Sequence, residues 1–234
     1  MLSVVCFKWA SRSYRSQFGP ETVNVLRRMV SRHYPHPHDF VCITDDPTGI
    51  DPDVHIVPLW PDFSDLPNPA GAKHPSCYRR LRLFAPDVVD VLGPRFVALD
   101  LDCVITGDVT PLWSREEPFV IWGGTHPSTP YNGSMMLMSA GARAKVWTEF
   151  DPVRSPAAAA AAGHYGSDQA WISYCLGPNE PRWSRSEGVY SYRNHLRSRP
   201  AMLPPNARIV FFHGRVDPWS PQARSWPWIQ EYYR

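Results

Sequence analysis

Two aspartates, Asp100 and Asp102, interrupt the apolar run F-V-A-L-D-L-D-C-V-I-T-G-D, which extends from Phe96 to Asp108. A buried carboxylate is costly unless a cation, a basic partner or water compensates its charge. Because alternate residues at the end of a strand point the same way, both carboxylates can reach one site. Hard oxygen ligands suit Mg²⁺ or Mn²⁺, which in turn bind a diphosphate. The run therefore predicts either a metal–diphosphate site or an aspartate pair that caps a turn or pairs with arginine.

Composition indicates a globular protein and sets few other limits. Of the 234 residues, 43% are hydrophobic and 20% are charged, which is ordinary for a chain that buries a core. The formal net charge of +2 is too small to indicate nucleic-acid binding by itself. The five cysteines form no C-x-x-C pair, which argues against a zinc or redox motif and favours a reducing compartment. The sequence shows neither a signal peptide nor a run long enough for a transmembrane segment, so we expect a cytoplasmic protein.

The order of the predicted elements indicates an α/β fold. A strand at residues 2–7, an amphipathic helix at 20–34 and strands at 40–44 and 55–58 form a β-α-β pattern. This pattern is typical of an open sheet with a crevice at its strand ends. Residues 59–75 predict a long loop. We expect the remaining elements as helices at 78–91, 140–150 and 168–176, strands at 95–99, 119–122, 134–138 and 208–212, and a flap or short helix at 156–163.

Several segments together resemble the core of GT-A-fold glycosyltransferases. They are Y-R-R-L-R-L-F-A-P, R-F-V-A-L-D-L-D-C-V-I-T-G-D-V-T-P-L-W, Y-N-G-S-M-M-L-M, G-S-D-Q-A-W-I and F-F-H-G-R-V-D-P-W. The sequence most resembles the retaining glycogenin-like and lipopolysaccharide galactosyltransferase-like family, and the likeness spans most of the chain. It implies a single Rossmann-like GT-A domain over 1–234, with a mostly parallel central sheet flanked by helices. The nucleotide-binding half would cover about 1–110, and the acceptor and catalytic half about 111–234.

The resemblance also implies a set of site residues. Asp100, Asp102 and His213 would bind Mn²⁺, with Mg²⁺ as the alternative ion. Asp168 would hydrogen-bond the donor sugar, and Gln169 would lie behind the anomeric carbon as the second catalytic residue. The nucleotide-sugar donor, expected to be a UDP-sugar, would contact Phe7, Lys8, Arg80, Asp100, Asp102, Asn132, Gly133, Ser134, Gly214 and Arg215.

The implied reaction moves the sugar to an acceptor hydroxyl with front-face retention. The metal and basic groups would stabilise the leaving diphosphate as charge develops on it. That scheme requires no strong nucleophile, which fits the glutamine at 169. If the enzyme instead inverted the anomeric centre, Asp168 would be the candidate base.

Two positions depart from the family pattern. Asp217 stands where the closing motif of the family has a lysine that faces the diphosphate. Arg215 or Lys8 would then have to supply the positive charge. The Asn-Ser-Gly order of the family is changed to Asn-Gly-Ser at 132–134.

Three other functions are compatible with the sequence. A haloacid-dehalogenase-type phosphatase also has an apolar strand that ends in D-x-D, but there the motif follows the first strand. The aromatic tail, with Trp226, Trp228, Tyr232 and Tyr233, would suit a glycosyltransferase that acts on modified nucleic-acid bases. A nucleotide-sugar-binding module without turnover is permitted by Asp217. The acceptor itself is left open among a glycan, a small molecule, a protein and a modified nucleic acid.

Overall fold

A seven-stranded sheet forms the centre of the protein, with strand order β3-β2-β1-β4-β7-β6-β8. The computed structural model describes residues 1–10, 17–71, 74 and 76–234. A second sheet has three strands in the order β5-β10-β9. The strands are β1 Leu2–Lys8, β2 His38–Thr44, β3 His55–Pro58, β4 Arg95–Leu99, β5 Cys103–Ile105, β6 Phe119–His126, β7 Thr129–Ser139, β8 Arg182–Trp183, β9 Val189–Ser191 and β10 Ile209–Phe211.

The four strands β3, β2, β1 and β4 are mutually parallel. Their bounds lie close to those predicted from the sequence. All seven residues of β1 are buried, which is typical of a parallel strand covered on both faces. Its alternate side chains enter two different apolar clusters, one containing Val4 and the other Val5. Strand order reverses between β1 and β4, and crevices at such switch points are the usual ligand sites of open α/β sheets.

The β6–β7 hairpin carries a bulge beside the end of β4. Ile121 pairs with Met136, whereas the next residue, Trp122, pairs with Asn132, so β7 has extra residues at 133–135. The carbonyl oxygen of Ser134 in this bulge accepts a hydrogen bond from the backbone N–H of Asp100 at 2.9 Å. The predicted strands at 119–122 and 134–138 are therefore parts of longer strands, and the bulge between them lies against the aspartate pair.

The D-x-D segment is a corner between the two sheets. The chain leaves the seven-stranded sheet after Leu99 and joins the three-stranded sheet at Cys103, where β5 runs antiparallel to β10. The carbonyl oxygen of Asp102 accepts a hydrogen bond from the N–H of Phe212 at 2.7 Å, directly after β10. This corner places the segment that begins at His213 close to the aspartates.

Helices cover both faces of the main sheet, which confirms the predicted α/β class. Apolar residues of α1 pack in the same cluster as Val4, while α6 and the 3₁₀ segment Tyr78–Phe84 pack with Val5. The helices are α1 Pro20–His33, α2 Val89–Leu92, α3 Thr110–Trp113, α4 Lys145–Thr148, α5 Arg154–Ala161, α6 Asp168–Leu176, α7 Pro221–Arg224 and α8 Pro227–Tyr232.

Two of the predicted helices are shorter or more broken in the structure. The expected helix at 78–91 divides at Pro86 into two 3₁₀ segments and α2, because proline lacks the N–H and clashes with a continuing helix. At 140–150 only α4 forms, since Gly141 and Arg143 adopt positive φ angles of 77° and 61°. The alanine-rich stretch is helical as α5.

The aromatic tail packs into the protein rather than lying open to solvent. Trp226, Trp228 and Tyr233 are each less than 7% exposed. The ring of Tyr192 stacks between Phe212, at 4.8 Å, and Trp226, at 5.1 Å. These buried rings therefore offer no surface on which a nucleic-acid base could stack. Within the described residues, no helix is long and apolar enough to cross a membrane.

We predict that Trp226→Ala lowers the free energy of unfolding by about 3–5 kcal/mol, because it removes a buried ring from this stack. Met202→Ala is the control, since Met202 is 62% exposed and its truncation should change stability by less than about 0.5 kcal/mol. Chemical denaturation of both variants measures the difference. Equal stabilities would contradict a packed tail.

Candidate active site

The carboxyl ends of β1 and β4 border a cleft of about 200 Å³, here called the donor cleft. Alternate positions near the end of β1 supply aromatic side chains, and the D-x-D corner supplies carboxylates. Most of the residues predicted from the sequence line it: Phe7, Arg80, Asp100, Asp102, Asn132, Gly133, Ser134, Asp168, Gln169 and His213.

Arg80 joins three walls of the donor cleft. Its Nη1 atom donates to Asp100, its Nη2 atom donates to the carbonyl oxygen of Gly133 at 2.6 Å, and its Nε atom lies 2.9 Å from Asp168 Oδ2. The last contact is an ion pair without hydrogen-bond alignment. Burial alone would lower the pKa of Arg80, but the charges of Asp100 and Asp168 outweigh it and raise this pKa. The guanidinium therefore stays charged and holds the carboxylates in place.

Gly133 explains the changed Asn-Gly-Ser order. A Cβ atom at this position would lie 2.2 Å from Arg80 Nη2 and 3.3 Å from Asp168 Oδ2. The Arg80 side chain is only 8% exposed and is held by two hydrogen bonds and an ion pair, so it has little freedom to move away. Glycine at this position thus lets the guanidinium cross the bulge at close range.

Asn132 directly precedes the bulge and is bonded to Ser134 within it. The Asn132 side chain accepts a hydrogen bond from the Ser134 N–H at 2.8 Å and donates one to Thr125 Oγ1 at 3.1 Å. The amide that was expected to border the donor sugar is therefore largely used to shape the wall of the cleft.

The two aspartates of the motif have different surroundings. Asp100 is ion-paired with Arg80. Asp102 is 7% exposed, and its pKa is raised well above the usual range by burial and then by the negative charges of Asp100 and Asp217. An ionised Asp102 is thus unfavourable in the protein alone, and a nearby cation would relieve it.

The expected three-ligand metal site is not formed in this arrangement. Among the described residues, no group of three or more His, Cys, Asp or Glu side chains is placed to hold a metal ion. Asp100 faces Arg80, and His213 Nε2 lies 2.8 Å from Ser191 Oγ. Burial, followed by Arg193 and His195, lowers the pKa of His213 to about 4. The aspartates still suit Mg²⁺ or Mn²⁺, which are often held by one or two carboxylates plus substrate phosphates.

Three predicted residues do not line the donor cleft. The Nζ atom of Lys8 donates to the carbonyl oxygen of Asp46 at 2.7 Å, so its charge is directed elsewhere. Gly214 and Arg215 line a neighbouring cavity instead. The positive charge expected to replace the missing lysine is therefore not supplied to the cleft by Lys8.

Asp168 and Gln169 begin α6 at the floor of the cleft. Burial raises the pKa of Asp168, although the charge of Arg80 opposes this effect. Gln169 Nε2 donates to the carbonyl oxygen of Tyr165 at 3.0 Å, which fixes its neutral amide beside the cleft. A buried Asp168 bound to Arg80 is poorly suited to act as a base on an acceptor.

The cleft also contains residues that the sequence analysis missed: Trp9, Phe18, Cys77 and Leu101. Trp9 follows Phe7 by two positions, and the rings pack edge to face at 6.0 Å, so strand alternation was the available signal. Burial raises the pKa of the Cys77 thiol to about 12, which makes it a lining group rather than a nucleophile.

Comparison with known proteins identifies the fold. No protein-family model and no curated protein sequence matches the chain. Among solved structures, the galactosyltransferase LgtC with donor and acceptor sugar analogues has a TM-score of 0.62 at 14% identity, covering 98% of this chain and 94% of LgtC. The glycosyltransferase GlyE of Streptococcus pneumoniae TIGR4 has a TM-score of 0.59 at 14% identity, covering 94% of this chain and 57% of GlyE.

The bifunctional glycosyltransferase WbbM matches less closely, with a TM-score of 0.53 at 12% identity over 98% of this chain and 50% of WbbM. At these identities the likeness concerns the fold. The chain therefore has the fold of these glycosyltransferases, which confirms the fold predicted from its motifs.

We predict that Gly133→Ala displaces Arg80 and lowers the free energy of unfolding by about 1–3 kcal/mol, because buried charged hydrogen bonds are broken. In an Arg80→Ala background the same substitution should cost much less, since the obstructing side chain is absent. A double-mutant cycle by chemical denaturation measures the coupling. Additive effects would show that the two positions do not interact.

We predict that Asp102→Asn stabilises the ligand-free protein at neutral pH. Because the pKa of Asp102 is raised in the fold, its stability contribution is fully present below the unfolded pKa and is lost as pH rises through the raised value. Each kcal/mol gained corresponds to a rise in Tm of roughly 2–4 °C in a chain of this size, and the gain should vanish near pH 4.

Asp100→Asn is the matched control for this measurement. It removes a charge that Arg80 compensates, so it should lower Tm at neutral pH. Thermal scans of both variants between pH 4 and pH 8 separate the two aspartates. A loss of stability in Asp102→Asn equal to that in Asp100→Asn would contradict the assigned electrostatics.

Proposed function

We propose that the protein is a glycosyltransferase that moves a sugar from a nucleotide-sugar donor to an acceptor hydroxyl. The observation that carries this proposal is the donor cleft itself. There the D-x-D pair, residues 132–134 of β7 and Gln169 converge at the switch point of a glycosyltransferase fold. LgtC, which shares this fold over nearly its whole length, is a galactosyltransferase crystallised with donor and acceptor sugar analogues.

The proposed donor is a UDP-sugar, bound with a divalent cation. Asp102 and Asp100 would hold Mn²⁺ or Mg²⁺, because the raised pKa of Asp102 marks a carboxylate that a cation would stabilise. Such an ion, when bound, neutralises charge on a leaving diphosphate. Arg80 contributes by fixing Asp100, Asp168 and the bulge before the donor arrives, so that little reorganisation accompanies the reaction.

The proposed outcome is retention of the anomeric configuration. Gln169 presents a neutral amide at the cleft, held by the carbonyl of Tyr165, and Asp168 is committed to Arg80. A further LgtC structure is of an active-site mutant in which a glutamine is replaced by glutamate, consistent with a functional glutamine in that fold. An acceptor hydroxyl that attacks from the leaving-group side needs no strong base from the protein.

The phosphatase alternative finds little support in the geometry. Its nucleophile would be Asp100, which is ion-paired with Arg80 and so is a weakened nucleophile. Lys8, a lysine at the end of β1, donates to the carbonyl oxygen of Asp46. Base stacking on the aromatic tail is likewise unsupported, since Trp226, Trp228 and Tyr233 are buried and Tyr232 is partly buried.

The test is release of nucleoside diphosphate from a panel of nucleotide sugars, with Mn²⁺, with Mg²⁺ and with EDTA. We expect metal-dependent release from one donor, reduced at least about a hundredfold in Asp102→Asn, because a charge-stabilising group is lost. Asp90→Asn, on an exposed aspartate away from the cleft, should retain full activity. Donor binding without release would favour the non-catalytic module, and silence without donor-induced thermal stabilisation would reject the proposal.

A further inference from the structure

A second cavity, here called the arginine cavity, lies beside the donor cleft. It has a volume of about 510 Å³, and Arg193, Arg197 and Arg215 line it together with Gly214. His213 lines both spaces, so the two share one wall. Among the described residues that line the arginine cavity, none is acidic.

A π-helical turn, Tyr192–Leu196, holds part of this wall in place. The Tyr192 ring stacks on Phe212 at an interplanar angle of 4°. The Asn194 side chain donates to the carbonyl oxygen of Thr125 at 2.8 Å, which ties the turn to β6. Single π-helical turns are rare in proteins overall, but those that occur are often found at functional sites. The turn is thus a fixed platform rather than a loose loop.

Two arginines, Arg193 within the turn and Arg197 directly after it, carry positive charge beside the cavity. Arg193 and Arg197 are exposed, and neither forms an ion pair with any residue that the structure describes. By contrast, the donor cleft is lined by three carboxylates, and Arg80 is already bound to two of them.

Gly214 lets the backbone take part in the same cavity. Its φ angle of 145° lies in the region that favours glycine, and a Cβ atom there would lie 3.3 Å from Arg193 Cδ. The stem of Arg193 therefore packs over the Gly214 backbone, with its guanidinium at the cavity. Planar guanidinium groups match the oxygen geometry of phosphate better than any other side chain.

We propose that the arginine cavity binds a phosphate group of a substrate of the transfer reaction. This inference rests on the proposed function for the identity of that substrate. The phosphate has two sources: the diphosphate of the donor, whose usual lysine is replaced by Asp217, or a phosphate carried by the acceptor. Either source would present anionic phosphate oxygens to Arg193 and Arg197.

The test compares the double variant Arg193→Gln/Arg197→Gln with wild type by isothermal titration calorimetry. Arg199→Gln is the matched control, since Arg199 is exposed on the same segment but does not line the cavity. The probes are inorganic pyrophosphate, UDP, uridine and glycerol 3-phosphate. We expect pyrophosphate affinity to fall at least about tenfold in the double variant and to be unchanged in the control. Equal Tm values would show that the variants are folded, and the single variant Arg197→Gln repeats the comparison if the double variant is not.

The other probes separate the two sources. A loss of UDP affinity with unchanged uridine affinity assigns the cavity to the donor diphosphate. Unchanged UDP affinity, with weaker binding of glycerol 3-phosphate to the UDP-saturated protein, assigns it to the acceptor. The proposal is overturned if these anions bind the double variant as tightly as wild type, or do not bind wild type. The binding measurements do not require turnover. If the protein binds these anions through its arginines but releases no diphosphate from any donor, the proposed function is rejected and the binding proposal stands.

Discussion

One buried guanidinium determines the shape of the candidate site. Arg80 joins the end of β4 through Asp100, the β7 bulge through Gly133 and the start of α6 through Asp168. These segments are far apart in sequence, and each carries a polar group that would be costly to bury without the others. The same contacts involve Nη1, Nη2 and Nε of Arg80, so the guanidinium is held in one position at the wall of the cleft.

This arrangement gives the two aspartates of the D-x-D motif different electrostatic surroundings. Asp100 is ion-paired with Arg80, whereas Asp102 is buried with further negative charge near it. An unrelieved buried charge is tolerated where binding of a ligand relieves it, and such groups are frequent at functional sites. The ionised form of Asp102 is therefore unfavourable in the ligand-free protein, and a bound cation or a proton would relieve it.

The sequence allowed prediction of the elements whose pattern is local. The strands at 55–58 and 95–99 and the helix at 168–176 have the predicted bounds, because an apolar run or a helical period defines each one. The pairing of an aspartate with arginine was one of the alternatives that the D-x-D run left open. The bulge at 133–135 was not predicted, since it depends on register between distant strands. The contact between His213 Nε2 and Ser191 Oγ was not predicted either, because it joins two distant segments and no sequence period reports it.

The position of the aspartates at a corner between two sheets has a consequence for folding. Asp100 is fixed by the seven-stranded sheet, and Asp102 by its hydrogen bond to Phe212 after β10. A chain in which only one sheet has formed lacks one side of the corner and cannot present both carboxylates to one ligand. A ligand that contacts both carboxylates would bind only the state in which both sheets are assembled. A bound donor would therefore stabilise the two sheets together and reduce partial opening of either one.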